Sequence, residues 1–267
     1  MILVTGGTGF VGQQIVKSLL RVDHDIIVLV RKGSLNPFDK EKKVKIITSE
    51  DIFAENEAWW SKVIQNVDTI VHSAWYAKPK TYLNSLENLK CLNGTIIMAK
   101  AILKSEVSKF IGIGSCLEYE KSLIPKTVNT PLNPMSIYAS TKVSTFFNLK
   151  NLFKNKTSLK FAWCRLFFMY GENEPESKLS NYVMKQLDMN KEVYLTDGKQ
   201  IRDYMDVADV GMVIKNLCLN NLSGEFNICS GIGLSVRDYV TKIAKNRNKV
   251  HLLKFGYRKG DPLDDFY

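Results

Sequence analysis

A tyrosine and a lysine in the segment Tyr138-Ala139-Ser140-Thr141-Lys142 have the residue types and the spacing for acid–base chemistry. Side chains four residues apart lie on one face of an α-helix, so we expect the Tyr138 phenol and the Lys142 ammonium to be neighbours. A free tyrosine titrates near pH ~10, and a nearby cation favours its phenolate form. We therefore predict that Lys142 lowers the pKa of Tyr138 and that Tyr138 exchanges a proton with a substrate.

A hydroxyl group is expected beside this pair. Ser115 directly follows the strand candidate at residues 110–114, and ligands of parallel α/β sheets bind at the carboxyl ends of the strands. Ser115 would then donate a hydrogen bond to a carbonyl oxygen. The alternatives are a cap or turn role for Ser115, and an exposed helical pair without chemical duty for Tyr138 and Lys142.

A glycine-rich segment, residues 6–12, is placed to bind a dinucleotide near these side chains. It lies between an apolar strand candidate at residues 1–4 and a helix with an apolar stripe. Glycines permit a tight turn and close approach of a pyrophosphate, while the helix N-terminus points its amides at the anion. A plain turn is the alternative. The predicted cofactor contacts here are Gly6, Gly9, Phe10, Val11 and Gly12.

Strand-like and helix-like segments alternate along most of the chain, which is typical of a parallel sheet with helices on both faces. The predicted strands cover residues 26–30, 44–47, 69–72, 110–114, 160–168 and 226–229, and the predicted helices cover residues 57–65, 86–103 and 137–153. We predict an α/β fold, a Rossmann-like doubly wound parallel sheet with a small C-terminal substrate-binding lobe. The dinucleotide domain would cover residues 1–168 and 206–229, and the lobe residues 169–205 and 230–267.

Composition narrows the classes of partner. The net charge is +10, but the lysines are scattered among acidic residues, so we expect a phosphorylated small molecule rather than nucleic acid. The apolar runs are too short to cross a bilayer and the first strand follows Met1 directly, so we expect a cytoplasmic protein without a signal peptide or membrane contact. The cysteines form no C-x-x-C pair, so we expect neither disulfides nor a metal site; they are Cys91, Cys116, Cys164, Cys218 and Cys229.

Nearly the whole chain resembles the extended short-chain dehydrogenase/reductases of the nucleotide-sugar epimerase, dehydratase and reductase group. Besides the glycine-rich turn, the matching motifs are His72-Ser73-Ala74, Ser115 ahead of Tyr119, Tyr138 with Lys142, Arg165-Leu166-Phe167 with Tyr170-Gly171, and Arg202-Asp203-Tyr204 followed by Val207-Ala208-Asp209-Val210. The resemblance implies that Ser115, Tyr138 and Lys142 form the catalytic set, and that Lys142 also holds the nicotinamide ribose.

The same resemblance implies further ligand contacts. Asp51 and Ile52 would contact the adenine end of the cofactor, although Asp51 could be a plain loop acid. Arg202 would clamp the diphosphate of a sugar nucleotide. The other implied cofactor contacts are Ser73, Ala74, Trp75, Tyr138, Lys142 and Arg165. The other implied substrate contacts are Cys116, Tyr170, Leu179 and Val183, of which the last three could equally belong to the core.

Three positions bear on the reaction. An acid at the end of the second strand would bind the ribose of NAD, but this chain has Arg31-Lys32, which favours the 2′-phosphate of NADP(H) unless Arg31 only faces water. Dehydratases of the family carry an Asp-Glu pair where this chain has Cys116-Leu117, so dehydration is disfavoured. Cys91 stands where many members have an asparagine that supports a proton relay.

We therefore predict an NADPH-dependent reductase of the C4 keto group of a nucleoside-diphosphate 4-keto-6-deoxyhexose, with a dTDP sugar favoured, in the synthesis of cell-surface glycan precursors. The alternatives are an NAD-dependent nucleotide-sugar 4-epimerase and a non-catalytic dinucleotide sensor. Family relatives dimerise through two helices of each copy. We expect a homodimer in which residues 86–103 and 137–153 form a four-helix bundle.

Overall fold

Twelve strands and seven α-helices make up the part of the chain that the structure, a computed structural model, describes: residues 1–22, 24–122 and 124–259. The strands are β1 (Ile2–Thr5), β2 (Ile26–Arg31), β3 (Val44–Ser49), β4 (Thr69–His72), β5 (Lys109–Ser115), β6 (Lys160–Leu166), β7 (Phe168–Tyr170), β8 (Val193–Leu195), β9 (Ile201–Asp206), β10 (Gly224–Ile228), β11 (Gly233–Ser235) and β12 (Leu253–Phe255). The helices are α1 (Phe10–Leu19), α2 (Glu57–Val63), α3 (Glu87–Leu103), α4 (Ile137–Phe153), α5 (Leu179–Asp188), α6 (Val207–Leu219) and α7 (Val236–Lys245).

Seven parallel strands form the central sheet in the order β10-β6-β5-β4-β1-β2-β3. The apolar runs of the inner strands β1, β2, β4 and β5 are buried on both faces, which explains why they read as continuous rather than alternating patterns. The order reverses between β1 and β4, and such a switch point creates a crevice at the carboxyl ends of the strands. The predicted α/β, Rossmann-like doubly wound fold is confirmed.

Helices cover both faces of this sheet. Val16 of α1 and Ile214 of α6 belong to the apolar cluster on one face. Met98 of α3 and Phe146 of α4 belong to the cluster on the other face, where Trp60 of α2 is also buried. The two clusters fix the sheet between the helix layers, so the ends of the strands present their loops in a defined arrangement.

A smaller lobe has a third core of its own. Buried side chains of α5, β8 and α7 form it, with Val183, Val193 and Val240 at its centre. Two short sheets belong to this region, one with the order β11-β9-β7 and one that pairs β12 with β8. The last part of the predicted lobe, residues 260–267, lies outside the described residues.

The strand predicted over residues 160–168 is wrong at its end. The Phe167 N–H donates to the Ile228 carbonyl at 3.2 Å, and the chain then leaves the central sheet. β7 pairs instead with β9 in the second sheet, with Phe168 opposite Tyr204. An apolar run specifies extended backbone but not the sheet to which each part of it belongs, which is why the sequence predicted one strand.

Candidate active site and nucleotide groove

The glycine-rich turn connects β1 to α1 at the switch point of the sheet. Gly6 has φ +67°, and a Cβ there would lie 2.7 Å from the main chain of Ala74; a Cβ on Gly12 would lie 2.0 Å from the Gly6 carbonyl oxygen. Gly9 precedes α1 without a side-chain cap, and the first turn of α1, which includes Phe10 and Val11, contains no acidic residue. The first-turn amides are therefore available to an anion, and a pyrophosphate fits this turn.

A buried histidine holds the strand end opposite this turn. His72 Nδ1 lies 2.9 Å from Thr5 Oγ1, and His72 Nε2 lies 2.9 Å from Thr95 Oγ1. Thr95 donates its proton to the Cys91 carbonyl, so we assign the ring proton to Nε2. Burial lowers the pKa of His72 to about 3 and keeps the ring neutral. Thr5 Oγ1 also accepts the Ala74 N–H at 3.2 Å, which fixes the predicted cofactor segment that includes Ser73.

The predicted adenine end lies at the carboxyl ends of β2 and β3. Arg31 is exposed and has no ion-pair partner among residues 1–22, 24–122 and 124–259, whereas Lys32 pairs with Glu50 at 2.7 Å. The Asp51 carboxylate accepts the Phe53 N–H at 3.0 Å, and Ile52 packs partly buried against the apolar cluster of that face. Arg31 is thus the cation in this group that has no acidic partner.

Trp75 continues the groove from Ala74 towards α4. Its indole N–H donates to Asn88 Oδ1 at 2.8 Å, and the Lys142 ammonium lies 3.8 Å from the centre of the Trp75 ring. Asn88 is fully buried on α3, one turn before Cys91. Asn88 was not among the residues predicted from the sequence, although a polar residue on an otherwise apolar helix face was a usable signal.

The structure brings Ser115, Tyr138 and Lys142 together. Ser136 caps the start of α4, so Tyr138 lies in its first turn and Lys142 one turn further on the same face. The Lys142 ammonium donates to the Ile113 carbonyl at 2.7 Å, two residues before Ser115 at the end of β5. Ser115 is hydrogen-bonded to Tyr138, and Ser115 Oγ accepts the Leu117 N–H at 3.2 Å, so the hydroxyl keeps a proton to donate.

The charge states differ from the sequence prediction. Burial, reinforced by the neighbouring Tyr82 and Glu118, raises the pKa of Tyr138, and the hydrogen bond from Ser115 opposes this only in part. Burial also lowers the pKa of Lys142 to about 7. The prediction that Lys142 lowers the pKa of Tyr138 is therefore wrong for this structure, because loss of solvation outweighs the attraction of an ammonium 5.9 Å from the ring centre of Tyr138.

Arg165 does not reach the groove. It is fully buried on β6, where its Nε donates to Glu118 at 2.7 Å and its Nη1 to Glu225 at 2.9 Å. Its guanidinium also lies 4.9 Å from the ring centre of Tyr119. The predicted cofactor contact from Arg165 is therefore not supported, since the ion pairs hold the guanidinium inside the fold.

Of the predicted substrate residues, Arg202 and Cys116 lie near Ser115, whereas Val183 lies in the core of the lobe. The guanidinium of Arg202 on β9 lies 4.5 Å from the ring centre of Phe168. Its positive charge lowers the pKa of the buried Cys116 thiol next to Ser115, against the larger effect of burial. Tyr170 is half-buried, with its ring 6.0 Å from Tyr239. Val183 has no exposed surface and lies in the lobe core, so its predicted substrate contact is wrong.

Leu179 packs against the same lobe core but keeps part of its surface exposed.

Among the described residues, no cluster of three or more His, Cys, Asp or Glu side chains could hold a metal ion. No helix in the same residues is long and apolar enough to span a membrane. The candidate site thus consists of the glycine-rich turn, the Ser-Tyr-Lys set and an arginine near that set.

A glycine turn at the switch point and a Ser-Tyr-Lys set beyond it define the class of a nicotinamide-dinucleotide enzyme of the extended short-chain dehydrogenase/reductase type. Residues 2–229 match the NAD dependent epimerase/dehydratase family. The chain belongs to this family, whose members act on nucleotide sugars, and the resemblance stated from the sequence motifs is confirmed.

Several characterised proteins are similar over most of their length. The dTDP-6-deoxy-L-talose 4-dehydrogenase (NAD(+)) of Aggregatibacter actinomycetemcomitans is 25% identical over 260 residues, which cover 92% of this chain and 90% of that protein. The UDP-glucose 4-epimerase of Bacillus subtilis (strain 168) is 25% identical over 295 residues, covering 97% and 85%. The structure of the UDP-N-acetylglucosamine 4-epimerase from Methanobrevibacter ruminantium M1 has the same fold, with a TM-score of 0.87, 20% identity and coverage of 99% and 86%.

Proposed function

We propose that this enzyme reduces the C4 keto group of a nucleoside-diphosphate 4-keto-6-deoxyhexose, with a dTDP sugar favoured, as a step in glycan precursor synthesis. The observation that carries the proposal is the group formed by Ser115, Tyr138 and Lys142 without an acid–base pair beside it. Bound in the groove, a reduced nicotinamide supplies the hydride. The remaining chemistry falls to the side chains of this chain.

Ser115 and Tyr138 have the proton states that a ketone reduction needs. Ser115 donates a hydrogen bond to the C4 oxygen and so stabilises the negative charge that develops there. As the new C–H bond forms, the carbonyl π electrons move to that oxygen, which takes the phenolic proton of Tyr138. The raised pKa of Tyr138 keeps the phenol protonated at neutral pH, and the alkoxide that develops at C4 is a stronger base than the phenolate and takes this proton. Lys142 lies beside the phenol as the group that holds the cofactor ribose.

Dehydration is disfavoured by the two residues after Ser115. Burial raises the pKa of the Cys116 thiol to about 12, so the thiol stays neutral and cannot act as a base near neutral pH. Leu117 has no titratable group. Glu118 points into the interior, towards Arg165. Elimination of water requires an acid and a base beside the sugar, whereas reduction requires only the donors already described.

The cofactor is proposed to be NADP(H). Arg31 stands at the end of β2 where an acid would select NAD, and its guanidinium is exposed and has no acidic partner in the described part of the chain. An exposed guanidinium at this place suits a 2′-phosphate. The relative from Aggregatibacter is named for NAD(+), so the affinities for NADPH and NADH have to be measured side by side.

The second candidate is a nucleotide-sugar 4-epimerase. UDP-glucose 4-epimerases such as that of Bacillus subtilis are as similar in sequence as the dTDP-sugar dehydrogenase. The two activities differ in cofactor balance. An epimerase returns the hydride to the same sugar and consumes no cofactor, whereas a reductase oxidises one cofactor for each sugar.

The direct test mixes the purified protein with dTDP-4-keto-6-deoxyglucose and either NADPH or NADH. The loss of nicotinamide absorbance is followed, and the product is identified by NMR. We expect stoichiometric cofactor oxidation, faster with NADPH, and a dTDP-6-deoxyhexose. Interconversion of UDP-glucose and UDP-galactose without cofactor consumption, together with no reduction of the keto sugar, would establish the epimerase instead.

A further inference from the structure

Glu118 is a buried acid directly behind the candidate active site. It has no exposed surface, and all of its contacts are donors: the Ser115 N–H at 2.8 Å, the Trp163 indole N–H at 3.0 Å and the Arg165 Nε–H at 2.7 Å. A protonated carboxyl would need an acceptor for its proton, and these contacts provide none. Burial raises the pKa of Glu118, and the Arg165 guanidinium and the donated hydrogen bonds oppose this rise. The contacts, which are donors without an acceptor, favour the carboxylate.

The strand that ends in Ser115 is shaped to admit this carboxylate. A Cβ on Gly114 would lie 2.5 Å from Glu118 Oε1 and 2.4 Å from Trp163 Nε1, so only glycine fits there without movement. Glu118 also closes a capping box with Ser115, whose side chain and main chain are both engaged. The position of the Ser115 main chain is thus tied to the position of the Glu118 carboxylate.

A chain of alternating charges runs from this acid towards the surface along α4. Glu118 pairs with Arg165, Arg165 pairs with Glu225 at 2.9 Å, and Glu225 pairs with Lys150 at 3.0 Å. The Lys142 ammonium donates to the Ile113 carbonyl at 2.7 Å, and the Ser115 N–H, two residues further along β5, donates to Glu118 at 2.8 Å. Glu118, at the inner end of this chain of charges, and the buried Lys142 therefore bind main-chain groups of the same strand end.

We propose that Glu118 is a positioning residue of the active site: its carboxylate fixes the main chain of Ser115 and holds the buried Lys142 in its cationic form. The roles of Ser115 and Lys142 in this statement rest on the proposed function. Attraction to Glu118 is the main influence that raises the pKa of Lys142 against burial. Besides Lys142, the titratable or charged groups that interact with Glu118 are Tyr138, Cys116, Tyr119 and Arg165. Besides Glu118, those that interact with Lys142 are Cys91 on α3 and His72 on β4.

The first test measures the pKa of Lys142 in the full-length protein by NMR titration of ¹³C-labelled lysine side chains, with the signal assigned from its loss in Lys142→Arg. We expect Glu118→Gln to lower this pKa by about one unit or more. Glu225→Gln is the matched control, because it removes a carboxylate from the same charge chain but leaves Glu118 in place. An unchanged Lys142 pKa in Glu118→Gln, or an equal shift in both variants, would overturn the proposal.

A second variant distinguishes the proposed effect from destabilisation of the fold. Glu118→Gln leaves the Arg165 guanidinium buried beside one carboxylate, which can destabilise the fold, whereas Glu118→Gln/Arg165→Met removes both charges. Folding of each variant is checked by circular dichroism and thermal melting. Because loss of the Arg165 cation opposes loss of the Glu118 anion, the Lys142 pKa should fall less in the double variant than in Glu118→Gln. A folded Glu118→Gln variant whose Lys142 pKa is no lower than that of the double variant counts against the proposal.

The kinetic readout separates this proposal from the proposed function. If reduction needs the Lys142 ammonium, kcat for the keto sugar falls as the pH rises through about 7, and Glu118→Gln moves this falling limb to lower pH. If the fall in kcat occurs at the same pH in Glu118→Gln as in the wild type, Glu118 does not act on catalysis through the Lys142 ammonium. If the wild-type protein reduces no keto sugar at any pH, the proposed function fails, while the NMR titration still decides the role of Glu118.

Discussion

At the residue scale, the choice of cofactor depends on Arg31. Charge-assisted hydrogen bonds of the kind that a guanidinium forms with phosphate contribute about 1.5–3 kcal/mol. Arg31→Ala should therefore weaken NADPH binding about 10-fold to 100-fold and leave NADH binding unchanged, as measured by isothermal titration calorimetry. Lys45→Ala, which removes another exposed cation from the adjoining strand β3, is the control and should change neither affinity. Equal losses for NADPH and NADH in Arg31→Ala would exclude a 2′-phosphate contact.

Individual residues were predictable from sequence only where chemistry depends on local spacing. Tyr138 and Lys142 share a helix face, so their proximity followed from four residues of separation. Arg165 was assigned to the cofactor because its partners Glu118 and Glu225 are distant in sequence and meet it only through the packing of β5, β6 and β10. The pKa of Tyr138 was misjudged for the same reason, since burial cannot be read from a motif.

At the scale of elements, the hydrogen bonds that hold the end of β4 depend on the neutral form of His72. The pKa of His72 is about 3 in the folded protein and 6.5 in the unfolded chain, so between these values the unfolded chain binds more protons. The contribution of His72 to the free energy of unfolding is fully present above pH ~6.5 and is lost as the pH falls. The free energy of unfolding should drop by about 2 kcal/mol between pH 7 and pH 5 from this group.

This prediction is checked by urea unfolding of the wild type and of His72→Gln at both pH values. The glutamine amide offers a donor NH2 group and an acceptor oxygen, as the neutral ring offers a donor and an acceptor nitrogen, but it does not titrate. The loss of unfolding free energy on going from pH 7 to pH 5 should be about 2 kcal/mol larger in the wild type than in His72→Gln. Equal losses would mean that His72 is not held neutral.

Elements with one dominant periodicity were predictable, and short elements were not. The helix predicted at residues 137–153 agrees with α4, because a cap at Ser136 and a long apolar pattern define it. β8 and β12 contain three residues each and are held by pairing with each other, so their local sequences carry little signal. Most of the predicted Rossmann sheet therefore appeared as expected, while the strands of the lobe did not.

At the scale of the whole molecule, we propose that the protein is a homodimer through α3 and α4. Large apolar side chains remain exposed on these helices and just before them, with Leu86 67%, Leu89 45% and Phe147 47% exposed. Burial of such a surface against a second copy would remove it from water. Central residues of an interface typically contribute 2 kcal/mol or more, so Phe147→Glu should weaken dimerisation at least about 30-fold.

Size-exclusion chromatography with light scattering measures this effect over a range of protein concentrations. Leu35→Glu is the matched control, because Leu35 is 95% exposed in the segment between β2 and β3, away from the proposed interface. The control should remain a dimer. A wild-type protein that is monomeric at all concentrations, or a Phe147→Glu variant as dimeric as the wild type, would refute the proposed interface.

The proposed reduction depends on the Tyr138 phenol as the proton donor beside the reduced nicotinamide. The most direct measurement compares the rate of NADPH oxidation by dTDP-4-keto-6-deoxyglucose, and the NADPH dissociation constant, in Tyr138→Phe, the wild type and the exposed-tyrosine control Tyr194→Phe. Loss of a general acid should lower the rate in Tyr138→Phe at least about 100-fold, with the NADPH affinity nearly unchanged and the control as active as the wild type. A Tyr138→Phe enzyme that turns over at the wild-type rate would contradict the mechanism.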